Sequence, residues 1–336
     1  MSAWVTASLV FLATVVLGWL LPAWAMKRLV PSLESGGPRV TNYRGRSIPT
    51  GLGAVWLVWA AGVAVADAAW FYLVLSGGPQ PVAAGAVGTA VGIMGPLTLL
   101  VPGAFAFGLV DDVFGERAVK GFRGHLAALA HGRLTTGGLK LLGIGFLSLA
   151  AGFSAVRQMV PYRGGALEVA SGLTAWACAS LVIALAANLV NLTDLRPGRA
   201  LKVYGLLATI GVGLATWTVW TGGTPDSAPG SPLQLLWVGC FKLSLLALVL
   251  GPVVAVWRFD LGERAMLGDA GANAMGALAG FLLAWRSPLW LLAVTAVVLL
   301  ALNLVSERVS FSKVIERTAL LRWLDALGRL PSGPPG

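Results

Sequence analysis

Long apolar runs, separated by short polar, glycine-rich or basic stretches, dominate the pattern of this chain. Nine runs are long enough, at about 20 residues, to cross the roughly 30 Å hydrocarbon layer of a membrane as helices. They cover residues 3–25, 51–75, 82–110, 138–156, 168–190, 201–221, 234–257, 268–285 and 288–305. The runs are continuously apolar and do not alternate as barrel strands do, so we predict an all-α, polytopic bundle of about nine membrane helices.

Charged residues are few and unevenly placed. Only 11% of the 336 residues are charged, against 57% hydrophobic, which excludes an ordinary soluble domain. Of the 24 Lys and Arg, 20 lie in or beside the loops that follow the first, third, fifth, seventh and ninth runs. The positive-inside rule then predicts an outside N-terminus and a cytoplasmic C-terminus. The expected location is the plasma membrane. We divide the chain into a membrane domain, residues 1–306, and a basic amphipathic tail, residues 307–336.

Six acidic residues that lie near the ends of apolar runs share the predicted cytoplasmic side. They are Asp111, Asp112, Asp194, Asp260, Glu263 and Asp269. A cluster of carboxylates at a membrane boundary is suited to Mg²⁺ held together with substrate phosphates. Basic residues around such an ion are typical of phosphoryl transfer. Each acid alone also fits a simpler role, as a solvated helix end or a helix N-cap.

Two polar stretches strengthen the chemical interpretation. In "NLVNLTD", Asn188, Asn191 and Asp194 are spaced three apart, which on a helix predicts one polar face at the cytoplasmic end. In "MLGDAGANAMGALAGF", Asp269 opens a helix whose glycines allow close packing. The alternatives are an Asn-rich helix end with a capping Asp194, and an N-cap at Asp269.

Together these stretches resemble the polyprenyl-phosphate N-acetylhexosamine-1-phosphate transferase superfamily, glycosyltransferase family 4, which includes phospho-MurNAc-pentapeptide translocase. The similarity is carried in order by "GRSIPTGLGAVW" (45–56), "FGLVDDVFG" (107–115), "GGLKLLG" (137–143), "NLVNLTD" (188–194), "LGDAG" (267–271) and "SERVSFSKVI" (306–315). The resemblance implies an enzyme that transfers a sugar-1-phosphate from a UDP-N-acetylhexosamine to polyprenyl phosphate and releases UMP.

The resemblance also implies a role for particular residues. Asp111, Asp112 and Lys140 would be catalytic, Asn188, Asn191, Asp194 and Arg199 would bind the nucleotide sugar, and Asp269 with Asp112 would hold Mg²⁺, with Mn²⁺ as an alternative. The expected partners are polyprenyl phosphate, a nucleotide sugar and the membrane, with a homodimer allowed and no role for nucleic acid.

The chain departs from the family pattern at two places. Pro197 stands where the family has a second Asp, and no His-rich loop follows residues 306–315. The two histidines, His125 and His131, lie elsewhere, in a segment predicted to be amphipathic and interfacial. A family member that has lost its chemistry and only binds lipid phosphate or a partner protein therefore stays open. A transporter is disfavoured, because its site would lie near the membrane midplane.

The tail carries basic residues and an apolar stripe at helical spacing. The stripe comprises Leu320, Leu321, Trp323, Leu324 and Leu327. We predict an amphipathic helix on the cytoplasmic membrane surface. It would serve either as an anchor or, through one or two Arg, as a substitute for the missing His contacts to a diphosphate.

Overall fold

The computed structural model describes residues 11–75, 82–115, 121–157, 166–221 and 232–329 as a bundle of helices with one small hairpin. The elements are α1 (Phe11–Gly36), β1 (Arg39–Thr41), β2 (Ser47–Pro49), α2 (Ala54–Leu75), α3 (Val82–Phe114), α4 (Gly121–Ala130), α5 (Thr136–Val156), α6 (Ala166–Thr193), α7 (Arg199–Thr221), α8 (Pro232–Leu261), α9 (Gly268–Ala284), α10 (Leu289–Ser306), α11 (Phe311–Arg317) and α12 (Ala319–Ala326). Each of the nine predicted runs coincides with one of the helices α1–α3 and α5–α10.

Seven of these helices, α1, α3, α5, α6, α7, α8 and α10, contain described stretches long and apolar enough to cross a membrane. The two remaining long helices fall short of that measure. The apolar described part of α2 covers only Ala54–Ala69, and α9 has 17 residues. The prediction of a multi-pass helical membrane protein therefore holds for the described chain.

Helix α9 lies at the centre of the bundle. Every residue from Ala270 to Ala284 is buried, and the helix packs mainly against α3, α6 and α7. A Cβ added at Gly276 would lie 2.5 Å from Cα of Ala187, so only glycine allows α6 to come this close. Small residues drive such contacts in membranes because lipid gives little hydrophobic force between helices. The N-terminus of α9 is thereby fixed at one end of the bundle, which we call the site end.

Two neighbouring helices donate hydrogen bonds to carbonyl groups beside a proline in α8. Pro252 has no N–H, so the carbonyl of Leu248, four residues earlier, has no partner within the helix. The indole Nε1 of Trp59 in α2 donates to that carbonyl oxygen at 3.0 Å, and the hydroxyl of Tyr204 in α7 donates to the Val249 carbonyl at 2.8 Å. Since an unsatisfied backbone group in lipid costs several kcal/mol, these bonds fix α2 and α7 against α8.

The hairpin formed by β1 and β2 is an exception to the all-α prediction. The two strands pair antiparallel, and the turn between them is closed by Asn42. Its Oδ1 accepts the N–H groups of Arg44 and Arg46, each at 2.9 Å. Asparagine often closes a turn in this way, because its short side chain imitates a backbone acceptor.

The hairpin tethers the loop that leads into α9. The N–H groups of Gly51 and Leu52 each donate to the Met266 carbonyl at 3.0 Å, and the Met266 N–H donates to the Pro49 carbonyl at 2.8 Å. The segment "GRSIPTGLG" therefore positions the start of α9 through its backbone.

Gly268 is expected to tolerate no side chain. Its φ is +76°, and a Cβ there would lie 2.7 Å from both Asp112 Oδ2 and Thr50 Oγ1. We expect Gly268→Ala to lower the free energy of unfolding by about 1–3 kcal/mol, measured by thermal unfolding in detergent. Gly213→Ala is the control, because that helical glycine has open space around it and alanine favours helix. Equal effects of the two substitutions would contradict the explanation.

Candidate functional site

Three helices bring one lysine and two carboxylates into contact at the site end. Lys140, near the start of α5, donates to Asp111 Oδ2 at the end of α3 at 2.6 Å. It also donates to Asp269 Oδ2 at the start of α9 at 2.5 Å. The side chain of Asp269 is 35% exposed, against 13% for Lys140, so the group is open on the Asp269 side. We call Asp111, Asp112, Lys140, Asn191 and Asp269 the carboxylate–lysine cluster.

Asp112 is placed differently from its neighbour Asp111. Its Oδ1 accepts the N–H of Asp269 at 2.9 Å, and its Oδ2 accepts the N–H of Ala270 at 3.0 Å. The first N–H groups of a helix have no partner in their own helix and favour an anion, so a carboxylate from α3 caps α9. The sequence offered Asp269 as the cap of its own helix, but the capping acid is Asp112. The predicted role of Asp112 as a metal ligand stays a prediction.

Asn191 completes the cluster from the last turn of α6. Its Nδ2 donates to Asp269 Oδ2 at 3.3 Å. An ionised carboxylate can only accept hydrogen bonds, so the amide must present its NH₂ to Asp269, and its Oδ1 points elsewhere. That oxygen is buried without a partner, which costs about 1–3 kcal/mol unless a ligand supplies one. The cluster therefore has an acceptor ready for a donor or a cation.

Asn188 does not join the cluster. Its Nδ2 donates to Oδ1 of Asn303 in α10 at 2.6 Å, and Asn303 in turn donates to the Leu299 and Leu185 carbonyls. Three residues advance a helix by about 300°, so two such steps turn Asn188 about 120° away from the direction of position 194. Asn303 was not anticipated, although a single Asn in an apolar run is a recognisable signal for contact between membrane helices.

Asp194 lies just beyond the end of α6, near the cluster. Burial raises the pKa of Asp194 well above its usual range, and the negative charges of Asp260, Asp269 and Asp112 raise it further. A raised pKa favours the protonated form, which can donate a hydrogen bond as well as accept one. Asp194 is therefore equipped to meet a polar, uncharged group of a ligand.

The remaining two acids of the predicted set bind neighbouring segments. Asp260 Oδ2 accepts the N–H of Gly198 at 2.5 Å, which joins the end of α8 to the loop before α7. Glu263 accepts from Asn42 Nδ2 at 3.0 Å and pairs with Arg44 at 3.2 Å. Both carboxylates stabilise the segments around the cluster, but neither belongs to the cluster.

Arg199 is bound to the tail and not to the cluster. Its guanidinium donates to both carboxylate oxygens of Asp325, each at 3.0 Å, and to Ser312 Oγ at 2.8 Å. The Arg199 side chain is only 3% exposed. Burial alone would raise the pKa of Asp325, but the Arg199 hydrogen bonds and the charges of Arg199 and Arg329 hold it below its usual value. The sequence placed Arg199 in the nucleotide-sugar pocket, whereas the structure commits its donors to α11 and α12.

Further contacts dock the tail on the loop between α6 and α7. Lys202 Nζ donates to the carbonyls of Leu324 and Asp325, at the end of α12, at 2.9 and 2.8 Å. Arg329 donates to the Pro197 carbonyl at 2.8 Å. The Lys202 bonds satisfy carbonyls at the end of α12. Together with the Arg329 bond, they hold that end against the first turn of α7 and the loop before it.

The tail forms two short helices where one was predicted. The break lies at Thr318, whose φ and ψ are −99° and 114°. Glu316 pairs with Arg196, and Asp325 pairs with Arg199. On a continuous helix these two acids, nine residues apart, would project about 180° from each other. The break lets Glu316 reach the loop before α7 and Asp325 reach the first residue of α7, while the apolar stripe stays exposed.

The two histidines lie outside the cluster, on or beside α4. His125 Nδ1 pairs with Thr135 Oγ1 at 2.8 Å, and His131 Nδ1 pairs with the Ala127 carbonyl at 2.7 Å. Both hydrogen bonds lie within residues 125–135, in the segment between α3 and α5.

Within the described ranges, no group of three or more His, Cys, Asp or Glu side chains is placed to hold a metal ion. Mg²⁺ commonly needs only one or two carboxylates, with waters and substrate phosphates as its other ligands. Asp269 and the unpartnered Oδ1 of Asn191 supply oxygen atoms of this kind. The Lys140 ammonium is the cation now bound to Asp269, so Lys140 and a metal would compete for the same carboxylate.

Comparison with known proteins adds no relative: no model of a protein family matches the chain, and a search of curated proteins found no match.

Proposed function

We propose that this protein transfers a sugar-1-phosphate from a UDP-N-acetylhexosamine to polyprenyl phosphate at the site end. An oxygen of the lipid phosphate would attack the sugar-linked phosphorus, a new P–O bond would form, and the bond to the UMP oxygen would break. The observation that carries the proposal is the contact of Lys140 with both Asp111 and Asp269, next to the α9 N-terminus. Phosphoryl transfer depends mainly on such positioned charges.

The proposal includes an orientation. All nine long helices would belong to the membrane domain, with the site end on the cytoplasmic side of the plasma membrane and the N-terminus outside. The asymmetry of Lys and Arg supports this, because the loops at the site end carry most of them. A lipid phosphate would then reach the cluster with its chain still in the bilayer.

Each cluster residue has a proposed task that follows from its contacts. Lys140 would break its bond to Asp269 and bind the incoming phosphates. As Lys140 moves, Asp111 would keep its ammonium paired or would accept a proton. Asp112 would keep α9 in place through its two backbone hydrogen bonds. Asn191 would orient Asp269. Asp194 would contact the nucleotide sugar, where its raised pKa permits donation to a carbonyl oxygen.

Asp269 would be the principal ligand of Mg²⁺, with the Asn191 Oδ1 beside it. When bound, the ion would supply neutralisation of the phosphate charge. What supports this is the chemistry of the oxygen atoms, together with the net negative charge of three carboxylates around one ammonium.

A second candidate is a protein that binds lipid phosphate without turnover. The observation that favours it is the ion pairing of Lys140, which already neutralises the cluster in part without a metal. Pro197 at the position of the family's second Asp, and the lack of His in residues 306–336, point the same way.

The two candidates are separated by UMP release from purified protein given polyprenyl phosphate, Mg²⁺ and a panel of UDP-sugars. For the transferase we expect UMP only when both substrates are present, and none with EDTA or with the Asp269→Asn variant. If no UDP-sugar yields UMP while radiolabelled polyprenyl phosphate still binds, the second candidate replaces the first.

Asp111→Asn and Asp112→Asn are expected to fail in different ways. Asp111→Asn removes the ion pair with Lys140 and should lower turnover by about 100-fold or more, with little change in thermal unfolding. Asp112→Asn leaves one N–H of α9 without an acceptor and removes the favourable charge, so it should cost about 1–2 kcal/mol of stability. Both are measured as turnover and melting temperature of the same samples. Equal and mild losses in the two would instead indicate a solvated helix end.

A further inference from the structure

A separate groove lies between α1 and α8, away from the cluster. The groove ends, on the side away from the site end, where α1 and α8 cross at Gly18 and Gly251. A Cβ on either of these residues would overlap the backbone of the other helix. From this crossing toward the site end, the two helices enclose an open groove of about 290 Å³. The walls include Trp19, Met26, Val254 and Phe259, so most of the lining is apolar.

Two cations stand at the site end of this groove. Lys27 follows Gly18 by nine residues and Arg258 follows Gly251 by seven, which places them about 10–14 Å farther along their helices. Both side chains are exposed. Arg258 stacks over the Phe259 ring at 4.7 Å. The groove therefore has an apolar floor and a positive rim.

Neither cation has an anionic partner in the described parts of the chain. The acids nearest to them in sequence are already engaged. Glu34 pairs with Arg264 at 2.8 Å, and Asp260 accepts from Gly198. The positive charge at the rim is thus left for a ligand from outside the chain.

We propose that this groove binds one anionic glycerophospholipid, with its phosphate between Lys27 and Arg258 and one acyl chain along the apolar floor. Basic pockets between membrane helices at a membrane surface are suited to such headgroups. The geometry matches the amphiphile, since the apolar part runs toward the membrane interior and the cations lie at its edge. The inference does not depend on the proposed transferase activity.

The test is lipid retention by the full chain, measured by native mass spectrometry and by thermal shift in a zwitterionic detergent. Phosphatidylglycerol is titrated against phosphatidylcholine with the same acyl chains. We expect the wild-type chain to retain one phosphatidylglycerol and to melt higher with it, and phosphatidylcholine to have little effect.

Three variants separate a built site from general surface charge. The double variant Lys27→Gln with Arg258→Gln should weaken phosphatidylglycerol binding by about tenfold or more, since each basic residue near a headgroup contributes to it. Ala23→Phe should weaken it as well, because Ala23 lines the groove at an exposed position where a larger side chain fills space without entering the core. The matched control, Arg28→Gln with Arg308→Gln, removes the same charge from exposed positions outside the groove lining and should bind as wild type does.

Three results would overturn the inference. One is an equal loss in the control pair, which would mean attraction to the surface as a whole. Another is unchanged binding by Ala23→Phe, which would place no acyl chain in the groove. The third is displacement of phosphatidylglycerol by a stoichiometric amount of polyprenyl phosphate, which would assign the groove to that lipid.

Discussion

Replacing Lys140 with methionine is expected to reduce turnover by at least about 100-fold, the usual effect of losing one positioned donor from a reacting phosphate or oxyanion. Methionine keeps much of the length of the side chain but cannot bind Asp111, Asp269 or a phosphate. The measurement is UMP release at saturating substrates, compared with Lys313→Met, which removes an exposed lysine from α11. Full activity in Lys140→Met would remove the cluster from the proposed mechanism.

The same variant should also respond to Mg²⁺ in the absence of substrates. The two carboxylate oxygens that now share Lys140 are no more than about 5 Å apart, where unpaired charges repel by about 1 kcal/mol in water and about 3 kcal/mol at a protein surface. We expect Lys140→Met to melt below wild type without metal and to recover more stability than wild type when Mg²⁺ is added. An identical response of the two proteins would mean that no cation site lies between Asp111 and Asp269.

Arg199→Met is expected to release the tail from the bundle. Removing one partner of a buried ion pair costs about 3–5 kcal/mol when the other charge is left uncompensated. Here Arg329 still pairs with Asp325 at 2.6 Å, so we expect a smaller loss than that. The measurement is hydrogen exchange of the amides in α11 and α12, with Arg308→Met as the exposed control. Protection of the tail that survives in Arg199→Met would show that the remaining contacts suffice.

The same contact predicts how the docked tail responds to pH. The folded pKa of Asp325 lies below its unfolded value of 3.8. The stabilisation is therefore complete above about pH 3.8 and is lost as the pH falls through the folded pKa. We expect the tail amides to stay protected from neutral pH down to that point and to lose protection below it. Asp325→Asn should remove this dependence.

The long helices could be predicted from the chain because each is a continuous apolar run of membrane length. The cluster could be predicted in part for a related reason. Asp111, Lys140 and Asp269 stand at run ends that a bundle with short loops must bring to the same side. It was harder to predict which residues of one helix reach the cluster, because Asn188 and Asn191 belong to the same motif but point in different directions around the helix axis.

Contacts that depend on an exact approach of two backbones could not be predicted. The carboxylate of Asp112 caps α9 from another helix, and its two hydrogen bonds span 157 and 158 residues of sequence. The tail was predicted as one helix because its apolar stripe has helical spacing. The break at Thr318 allows the ion pairs with Arg196 and Arg199. The spacing of apolar residues does not reveal these ion pairs.

The central place of α9 has a consequence for biogenesis. The helices that pack most closely on α9, namely α3, α6 and α7, all precede it in the chain, as does its capping residue Asp112. During synthesis the helices that surround α9 can therefore pack together before α9 leaves the ribosome. A nascent chain stopped before Gly268 would expose to lipid the small-residue surfaces of α3 and α6, at Gly108 and Ala187, that normally face α9. The order of the helices along the chain thus matches an order of assembly in which α9, the least exposed helix, inserts between helices that are already in place.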